Sequence, residues 1–465
     1  MGKHKLQGEK HSVKRSLFMV LGLLGPGLVA ALADNDAGGV ISYAVTGAKF
    51  GVGLFIPLTL LMVLITYTVQ EMAMRLGVVA EDSYNTLVKQ KYGKFWMIYQ
   101  LLSLVVENFI TLMTEFIGMS AGLVILGLPM WAAVLIGLVL VLAIALFRGY
   151  ATKEKIAVGV GCLNIVFIII ACMTKPDWNA IANSFITWAV PSGEHGNVIW
   201  YMIALVGNAI APWMIFYQNS AYINKGSKKE DLRKGKMDTV IGCVLQVVIA
   251  VFIILIGAAL FGCIPDIENA GPSELIGALQ EKFGFVPAML FGIGLFDAGL
   301  LAAITVSLSS SWSVAEAFGW SKSLDDSITK APKFYGVYFG CVIAAAVVVM
   351  IPGLPLNHLA ILVQVISGIL MTPILVFLTF TISASCCISS TFSCSSTLFS
   401  TAITSVSSFP LSSVLFISVT ISFSFSILLK LKVFDFIIII FANNTTIKAI
   451  IIKTNIFLLF ITTIS

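Results

Sequence analysis

Three consecutive polar residues, Asp34, Asn35 and Asp36, interrupt an apolar stretch that is long enough to cross a membrane. The stretch runs from 16 to 48, and two glycines follow shortly after the polar residues. Charged side chains at membrane depth are costly, and where they occur they mark ion or substrate pathways. Backbone that leaves the helix at this depth is tolerated only where it faces protein or a cavity. The pattern therefore predicts a broken helix that supplies half of a cation site.

A second interruption, Gly207-Asn-Ala-Ile-Ala-Pro-Trp213, lies five spans later. Pro212 has no backbone N–H and clashes with the carbonyl four residues earlier, so the helix is expected to break just before it. Carbonyl groups that end the two half-helices, near Ala33 and Asn208, carry partial negative charge, and Asp36 adds a full charge. Two such ends favour a cation between them. A simple proline kink is the alternative for the second stretch taken alone.

The composition excludes a soluble protein. The chain has 465 residues, of which 58% are hydrophobic and 11% are charged, and its mean hydropathy is +0.99. Apolar runs of about 20 residues predict membrane helices. Ten such spans are predicted: 16–48 (broken), 52–75, 95–125, 129–147, 155–174, 197–223 (broken), 238–262, 286–318, 334–351 and 357–380.

The basic residues predict how the chain lies in the membrane. With the N-terminus in the cytoplasm, 21 Lys and Arg residues fall on the inside, and only Lys49, Lys175 and Lys282 fall outside. This bias follows the positive-inside rule. It predicts a multi-pass protein of the cell membrane, plasma or inner, with a cytoplasmic N-terminus. The net charge of +5 therefore reports topology, and no nucleic-acid partner is predicted.

The domain organisation follows from the spans. Residues 1–15 are predicted to be a basic cytoplasmic tail, and 16–380 a transporter core with halves at 16–175 and 197–380. Two interrupted helices five spans apart are typical of inverted-repeat transporters, whose sites lie between the broken helices. The composition becomes Ser-, Phe- and Ile-rich after residue 380. We interpret 381–465 as a low-complexity stretch outside the normal reading frame, with genuine helices near 425–442 as the alternative.

Four motifs resemble the natural resistance-associated macrophage protein family of divalent-metal transporters, and more closely its magnesium-transporting relatives. Gly25-Pro-Gly followed by Asp36-Ala-Gly-Gly is similar to the family's first-helix pattern of Gly-Pro-Gly and Asp-Pro-Gly-Asn. The other three motifs are Gln70-Glu-Met-Ala-Met-Arg-Leu-Gly-Val-Val, Thr114-Glu-Phe-Ile-Gly and Ala211-Pro-Trp-Met. The resemblance implies an all-α leucine-transporter-type fold of the APC superfamily, a 5+5 inverted repeat with helices 1 and 6 broken.

The resemblance also implies a set of metal ligands. Asp36 would be the charged ligand, the backbone carbonyls of Ala33 and Asn208 would add oxygens, and the Asn208 side chain would bind a metal-bound water. Two positions depart from the family. Gly39 replaces a ligating asparagine, for which Asp34 and Asn35 are the alternatives. Ala211 replaces the residue that gives other members a thioether ligand, and Met214 is an alternative source of sulfur.

These departures suggest a hard ion and weak coupling to protons. Loss of a soft ligand suits Mg²⁺, which prefers oxygen and dehydrates reluctantly. Other members of the family use a histidine after the sixth-helix proline and a third-helix aspartate to move protons. Trp213 and Leu112 stand at those positions, and the four histidines (4, 11, 195, 358) lie in tails, loops or a span end. We therefore predict transport that is weakly proton-coupled or uncoupled.

Four further residues are candidates for a polar pathway: Glu115, Glu107, Trp213 and Gln364. Hydrogen bonding or packing within the bundle is the alternative for each. The predicted function is transport of a divalent cation, Mg²⁺ and then Mn²⁺, by alternating access. A sodium-coupled carrier of amino acids or other organic solutes is the alternative. No catalytic constellation is present, so an enzyme is not predicted. No cofactor and no obligate protein partner are expected; the partners are the metal ion and the lipid bilayer.

Overall fold

Interrupted helices begin both halves of the chain. A computed structural model describes residues 25–189, 195–351 and 359–388, all within one compact unit. The first half contains α1 (Pro26–Ala33), α2 (Ala37–Phe50), α3 (Phe55–Ala80), α4 (Tyr84–Tyr92), α5 (Lys94–Val124), α6 (Met130–Leu146), α7 (Tyr150–Gly161), α8 (Ile165–Met173) and α9 (Trp178–Thr187). The second half contains α10 (His195–Ala209), α11 (Pro212–Asn224), α12 (Leu232–Ala258), α13 (Pro272–Phe283), α14 (Phe285–Phe318), α15 (Pro332–Val349) and α16 (Leu359–Ile388).

The order of helix lengths repeats in the two halves. Each half opens with a broken span, α1 with α2 and α10 with α11. The third span of each half is its longest helix, 31 residues in α5 and 34 in α14. The fourth is short, 17 residues in α6 and 18 in α15. This correspondence is expected of two copies of one five-span unit.

The predicted spans agree closely with the helices. Within the described residues, eight helices are long and apolar enough to cross a membrane, and α6 is a shorter apolar helix of 17 residues. The seventh span is shifted at both ends, predicted at 238–262 and found at Leu232–Ala258. It begins earlier because the basic segment before it is partly helical. The sequence does not predict the three short connecting helices α4, α9 and α13. Spans are identified by the length of their apolar runs, and these helices are too short to be recognised in that way.

Several predictions lie outside the described residues. These are the basic tail 1–15, the start of the first span at 16–24, and the low-complexity stretch beyond residue 388. The last described helix, α16, continues to Ile388, eight residues past the predicted end of the core at 380. The domain boundaries stay predictions.

The start of α1 and the end of α2 are both anchored to other parts of the chain. The carboxylate of Asp238 on α12 accepts hydrogen bonds from the backbone N–H groups of Gly25, Gly27 and Leu28 at 2.7, 2.8 and 3.2 Å. These N–H groups have no partner within the helix, so an anion is favoured there. At the other end, Lys49 pairs with Glu268 at 2.7 Å. The two anchors place the break between them.

Helices α10 and α16 pack with their backbones in close approach. A Cβ atom added to Gly207 would lie 1.8 Å from the backbone oxygen of Gln364. Only a glycine permits this distance, because any side chain would collide with the carbonyl. The approach brings Asn208, the next residue along, close to the helix that carries Gln364.

Candidate metal site

The first break separates α1, which ends at Ala33, from α2, which begins at Ala37. In a continuous helix the N–H of Ala37 would donate to the carbonyl of Ala33. Here it donates instead to Oε2 of Glu115 on α5, at 2.9 Å. Asp36 caps α2, and its Oδ1 accepts the N–H of Gly39 at 2.5 Å. The N–H of Ala37 is thus bonded to Glu115 and not to the Ala33 carbonyl. The Ala33 oxygen is therefore available to a ligand.

The second break separates α10, which ends at Ala209, from α11, which begins at Pro212. The carbonyl of Asn208 would accept from residue 212 in a continuous helix, but proline has no N–H to donate. The next carbonyl, of Ala209, accepts instead from Oγ1 of Thr66 at 3.0 Å and from Nε2 of Gln246 at 3.2 Å. Because residue 212 is a proline, the backbone carbonyl of Asn208 has no helical donor. The side chains of Thr66 and Gln246 stabilise the break by donating to the Ala209 carbonyl.

The two breaks face each other across Gly39. Nδ2 of Asn208 donates to Oγ of Ser42 on α2 at 3.0 Å, and its Oδ1 is buried with no hydrogen-bond partner in the described part of the chain. A Cβ atom built on Gly39 would lie 3.0 Å from Oδ1 of Asp36 and 3.5 Å from Oδ1 of Asn208. Gly39 thus leaves space beside a carboxylate oxygen and an amide oxygen. These oxygens are the ligand type that hard divalent cations prefer.

Two of the four predicted pathway residues lie at the site. Nε2 of Gln364 donates to Oδ1 of Asp36 at 3.3 Å, and Glu115 holds the first amide of α2 as described above. Glu107 makes no hydrogen bond to Asp36 among the described contacts; its Oε1 accepts from the hydroxyls of Thr111 and Ser367 at 3.2 and 2.7 Å. Trp213 is fully buried, with its indole nitrogen unpartnered. The pathway roles of Glu107 and Trp213 stay predictions.

The residues around the sixth-helix proline include one sulfur atom. Ala211 carries no ligating side chain, but its backbone N–H donates to Sδ of Met214 at 3.3 Å. The thioether of Met214 therefore reaches back to the break from the first turn of α11. It stays the candidate for a soft ligand.

Asp34 and Asn35 face a different neighbour from Asp36. Oδ2 of Asp34 accepts a hydrogen bond from Nε2 of Gln246 on α12. Nδ2 of Asn35 donates to the backbone oxygen of the same glutamine at 3.0 Å. Asp36, in contrast, is bonded to Gln364 on α16. The break thus presents its polar side chains to two different helices.

Sequence reasoning missed Gln246, Thr66 and Ser42 as neighbours of the breaks. Gln246 carried a usable signal, since it is an amide in an otherwise apolar run, Gly-Cys-Val-Leu-Gln-Val-Val-Ile-Ala-Val, and polar side chains within membrane spans commonly bond between helices. Thr66 and Ser42 carried none, because isolated hydroxyls in membrane helices usually bond to their own backbone.

The donor set is unusual for a resident metal centre. In the part of the chain that the structure describes, no group of three or more His, Cys, Asp or Glu side chains could hold an ion. The breaks combine one carboxylate, Asp36, with carbonyl and amide oxygens. No described lysine or arginine pairs with Asp34 or Asp36. A buried carboxylate without a basic partner favours a cation beside it.

The fold and the site together define a class of protein, an all-α membrane transporter with its site between two broken helices. Solved structures support the fold. The chain superimposes on a mutant form of a manganese transporter from Eremococcus coleocola with a TM-score of 0.62 and 21% identity, over 76% of this chain and 77% of the other. The predicted leucine-transporter-type fold is thereby confirmed.

The family model described as "natural resistance-associated macrophage protein-like" matches residues 27–418, so the chain belongs to that family. The match continues past residue 380. A divalent metal cation transporter of Deinococcus radiodurans is 22% identical over 349 residues, which cover 70% of this chain and 76% of the relative. One of Levilactobacillus brevis is 25% identical over 309 residues, 61% and 65% of the two chains.

Membership confirms the family resemblance seen in the motifs. The family consists of divalent-metal transporters, so the chain is a multi-pass membrane transporter and not an enzyme, and the metal is its substrate and not a cofactor. The alternative of a carrier for organic solutes gains no support from these matches.

Proposed function

We propose that this transporter carries a hard divalent cation, Mg²⁺ or Mn²⁺, by alternating access around Asp36. The observation that supports this most directly is the placement of the two breaks on either side of Gly39. The proposed ligands are the carboxylate of Asp36 and the backbone carbonyls of Ala33 and Asn208. The buried, unpartnered Oδ1 of Asn208 would accept a hydrogen bond from a water on the metal.

Whether the transporter prefers Mg²⁺ or Mn²⁺ depends on whether a thioether sulfur is among the ligands. Relatives are named as divalent metal cation transporters, and the solved structures that the chain resembles are manganese transporters. Mn²⁺ accepts oxygen ligands as readily as Mg²⁺ does, whereas a thioether adds affinity only for the softer ion. Because Ala211 offers no sulfur, we propose that Mg²⁺ is carried and that Mn²⁺ competes with it. A contribution from the Met214 thioether would favour Mn²⁺.

The membrane potential is the proposed driving force. Leu112 and Trp213 stand where the resemblance places proton-carrying side chains, and both are fully buried. With the N-terminus in the cytoplasm, as the basic residues predict, a potential negative inside draws a divalent ion inward. Two charges gain about 4.6 kcal/mol per 100 mV, roughly a thousandfold accumulation at equilibrium. We propose that proton coupling is weak or absent.

The test is uptake by the purified protein in liposomes. A potassium gradient with valinomycin imposes a negative interior, and both sides are buffered at the same pH. We expect Mg²⁺ and Mn²⁺ to enter with the potential, without alkalinisation or acidification of the lumen that scales with uptake. Transport of Mn²⁺ without Mg²⁺ would contradict the proposed ion preference. Uptake that requires a pH gradient would contradict the proposed driving force.

A further inference from the structure

A cluster of oxygen atoms lies on the α12 side of the two breaks, away from Gln364. It contains the carboxylate of Asp34 and the side-chain amide oxygens of Asn35 and Gln246, with the Ala209 carbonyl beside it. All three side chains are buried, with exposed fractions of 2%, 0% and 1%. The cluster joins both broken helices to an unbroken one.

The side-chain amide N–H groups of Gln246 and Asn35 donate to other atoms, and two side-chain oxygens of the cluster are left without a donor. Nε2 of Gln246 donates to Oδ2 of Asp34 and to the Ala209 carbonyl. Nδ2 of Asn35 donates to the backbone oxygen of Gln246. Oδ1 of Asn35 and Oε1 of Gln246 have no hydrogen-bond partner among the residues that the structure describes. Since buried polar atoms are nearly always satisfied, the two orphaned acceptors are open to a water molecule or a ligand.

The charge of the cluster decides between water and a cation. One water molecule could donate to both orphaned oxygens, but it would leave the Asp34 carboxylate without a compensating charge. No lysine or arginine of the described chain pairs with Asp34. An uncompensated charge in a low-dielectric interior is far more costly than an unsatisfied acceptor, so without a cation the Asp34 carboxyl would have to be protonated. A cation answers both needs, because it supplies positive charge and accepts oxygen ligands.

The cluster is distinct from the site proposed for the divalent ion. Asp36 is bonded to Gly39 and Gln364, whereas Asp34 is bonded to Gln246 of α12. The hydrogen bonds that Asn35 and Gln246 donate run to the Gln246 backbone, Asp34 and Ala209, and none runs to Asp36. The single carboxylate of this cluster neutralises a singly charged ion completely, and unwound backbone in transporters coordinates such ions.

We propose that Asp34, Asn35 and Gln246 form a second cation site, which takes a small monovalent cation of the Na⁺ class. The bound ion would tie both broken helices to α12. Binding at this site does not require that Asp36 bind a divalent ion, so the two proposals can fail separately.

The experiment is thermal unfolding of the purified full-length protein in detergent, titrated with NaCl, KCl or choline chloride at constant ionic strength and without divalent ions. We expect the unfolding temperature to rise with Na⁺ and to saturate, with little response to choline. The Gln246→Leu and Asp34→Asn variants should raise the half-saturating Na⁺ concentration at least about tenfold, the usual range for loss of a residue that supports an ion site. The matched control is Gln364→Leu, which removes a buried glutamine that touches Asp36 instead, and its Na⁺ response should be retained.

Further variants keep the test decisive if Gln246→Leu does not fold. Asn35→Leu removes one of the two orphaned oxygens, so it should also raise the half-saturating Na⁺ concentration. Equal stabilisation by Na⁺ and choline would overturn the proposal. An unchanged Na⁺ response in Gln246→Leu would also overturn it. If Gln246→Leu does not fold, an unchanged Na⁺ response in Asp34→Asn would do so. Loss of the response in Asp36→Asn would show that a single site takes both ions. Retention there, with loss of divalent uptake, would support two sites even if the preference between Mg²⁺ and Mn²⁺ differs from that proposed.

Discussion

The two breaks reach similar geometry by different chemistry. The first contains Asp34, Asn35 and Asp36, and a side chain from another helix, Glu115, captures the amide that would close it. The second contains only neutral residues, Ile210 and Ala211, and is opened by Pro212. The first break is thus opened by a tertiary contact, whereas the second is opened by a residue of its own sequence and then stabilised by side chains from other helices.

The two breaks therefore contribute different properties to the site: the first contributes charge and the second contributes geometry. The first break provides the negative charge that an ion needs, and its carboxylates depend on Gln246, Gln364 and Glu115 for their positions. The second provides a carbonyl whose availability depends on no partner. Substitutions in the first break should therefore act on binding of any cation, whereas those in the second should act on geometry and ion preference.

The largest effect is expected at the charge itself. Asp36→Asn keeps the shape of the side chain and removes its charge, so uptake of Mg²⁺ and Mn²⁺ in the liposome assay should fall below detection. The matched control is Asp297→Asn on α14, another buried carboxylate, whose Oδ2 has no hydrogen-bond partner among the described residues. Comparable loss in both variants would show that the Asp36 result reflects general damage, and normal uptake by Asp36→Asn would refute the site.

A smaller loss is expected from the residue that positions this carboxylate. Gln364→Leu removes the hydrogen bond to Asp36 and should raise the KM for divalent uptake by about tenfold, as is typical when a ligand loses its supporting partner. Gln100→Leu is a matched control, since Gln100 is a buried glutamine of α5 that lies beside Tyr84 and not beside Asp36. If both variants have the same KM, the contact with Asp36 contributes nothing to binding.

The second break can be altered by restoring a single N–H group. Pro212→Ala allows residue 212 to donate to the Asn208 carbonyl, so that the helix can close over a proposed ligand. One hydrogen bond is worth about 1 kcal/mol, or roughly a fivefold reduction in uptake. Pro332→Ala at the first position of α15 is the control, because an N–H there has no helical acceptor to occupy. An undiminished rate in Pro212→Ala would mean that the Asn208 carbonyl is not a ligand.

The smallest expected effect concerns ion preference and not rate. Ala211→Met places a thioether beside the proline, and we expect the preference for Mn²⁺ or Cd²⁺ over Mg²⁺ to increase by roughly threefold or more, because sulfur favours softer ions. Competition between the ions for uptake measures this change. Met214→Leu, which removes the sulfur bonded to the Ala211 amide, should shift the preference the opposite way if that thioether reaches the ion. Unchanged selectivity in Ala211→Met would reject ligand softness as the cause.

Much of the architecture was predictable because membrane spans and helix breaks are local properties. Apolar length located the described spans, and the proline at 212 marked its break without any knowledge of neighbours. The connecting helices α4, α9 and α13 were missed, since none is long or apolar enough to resemble a span. For the site, the sequence identified Asp36, Asn208 and Gln364 as polar residues in apolar surroundings. Such residues are costly to place within a membrane span, so each one indicates a specific role.

The sequence by itself determined that the chain crosses a membrane repeatedly and that two of its helices are interrupted, because hydropathy and proline act through neighbouring residues alone. Only the tertiary structure decided which partners the polar residues meet. It directs Asp34 to Gln246 of one helix and Asp36 to Gln364 of another, although the two aspartates are separated by a single residue. The physical reason is that an unwound backbone turns successive side chains in different directions, and the surrounding helices determine what each one contacts.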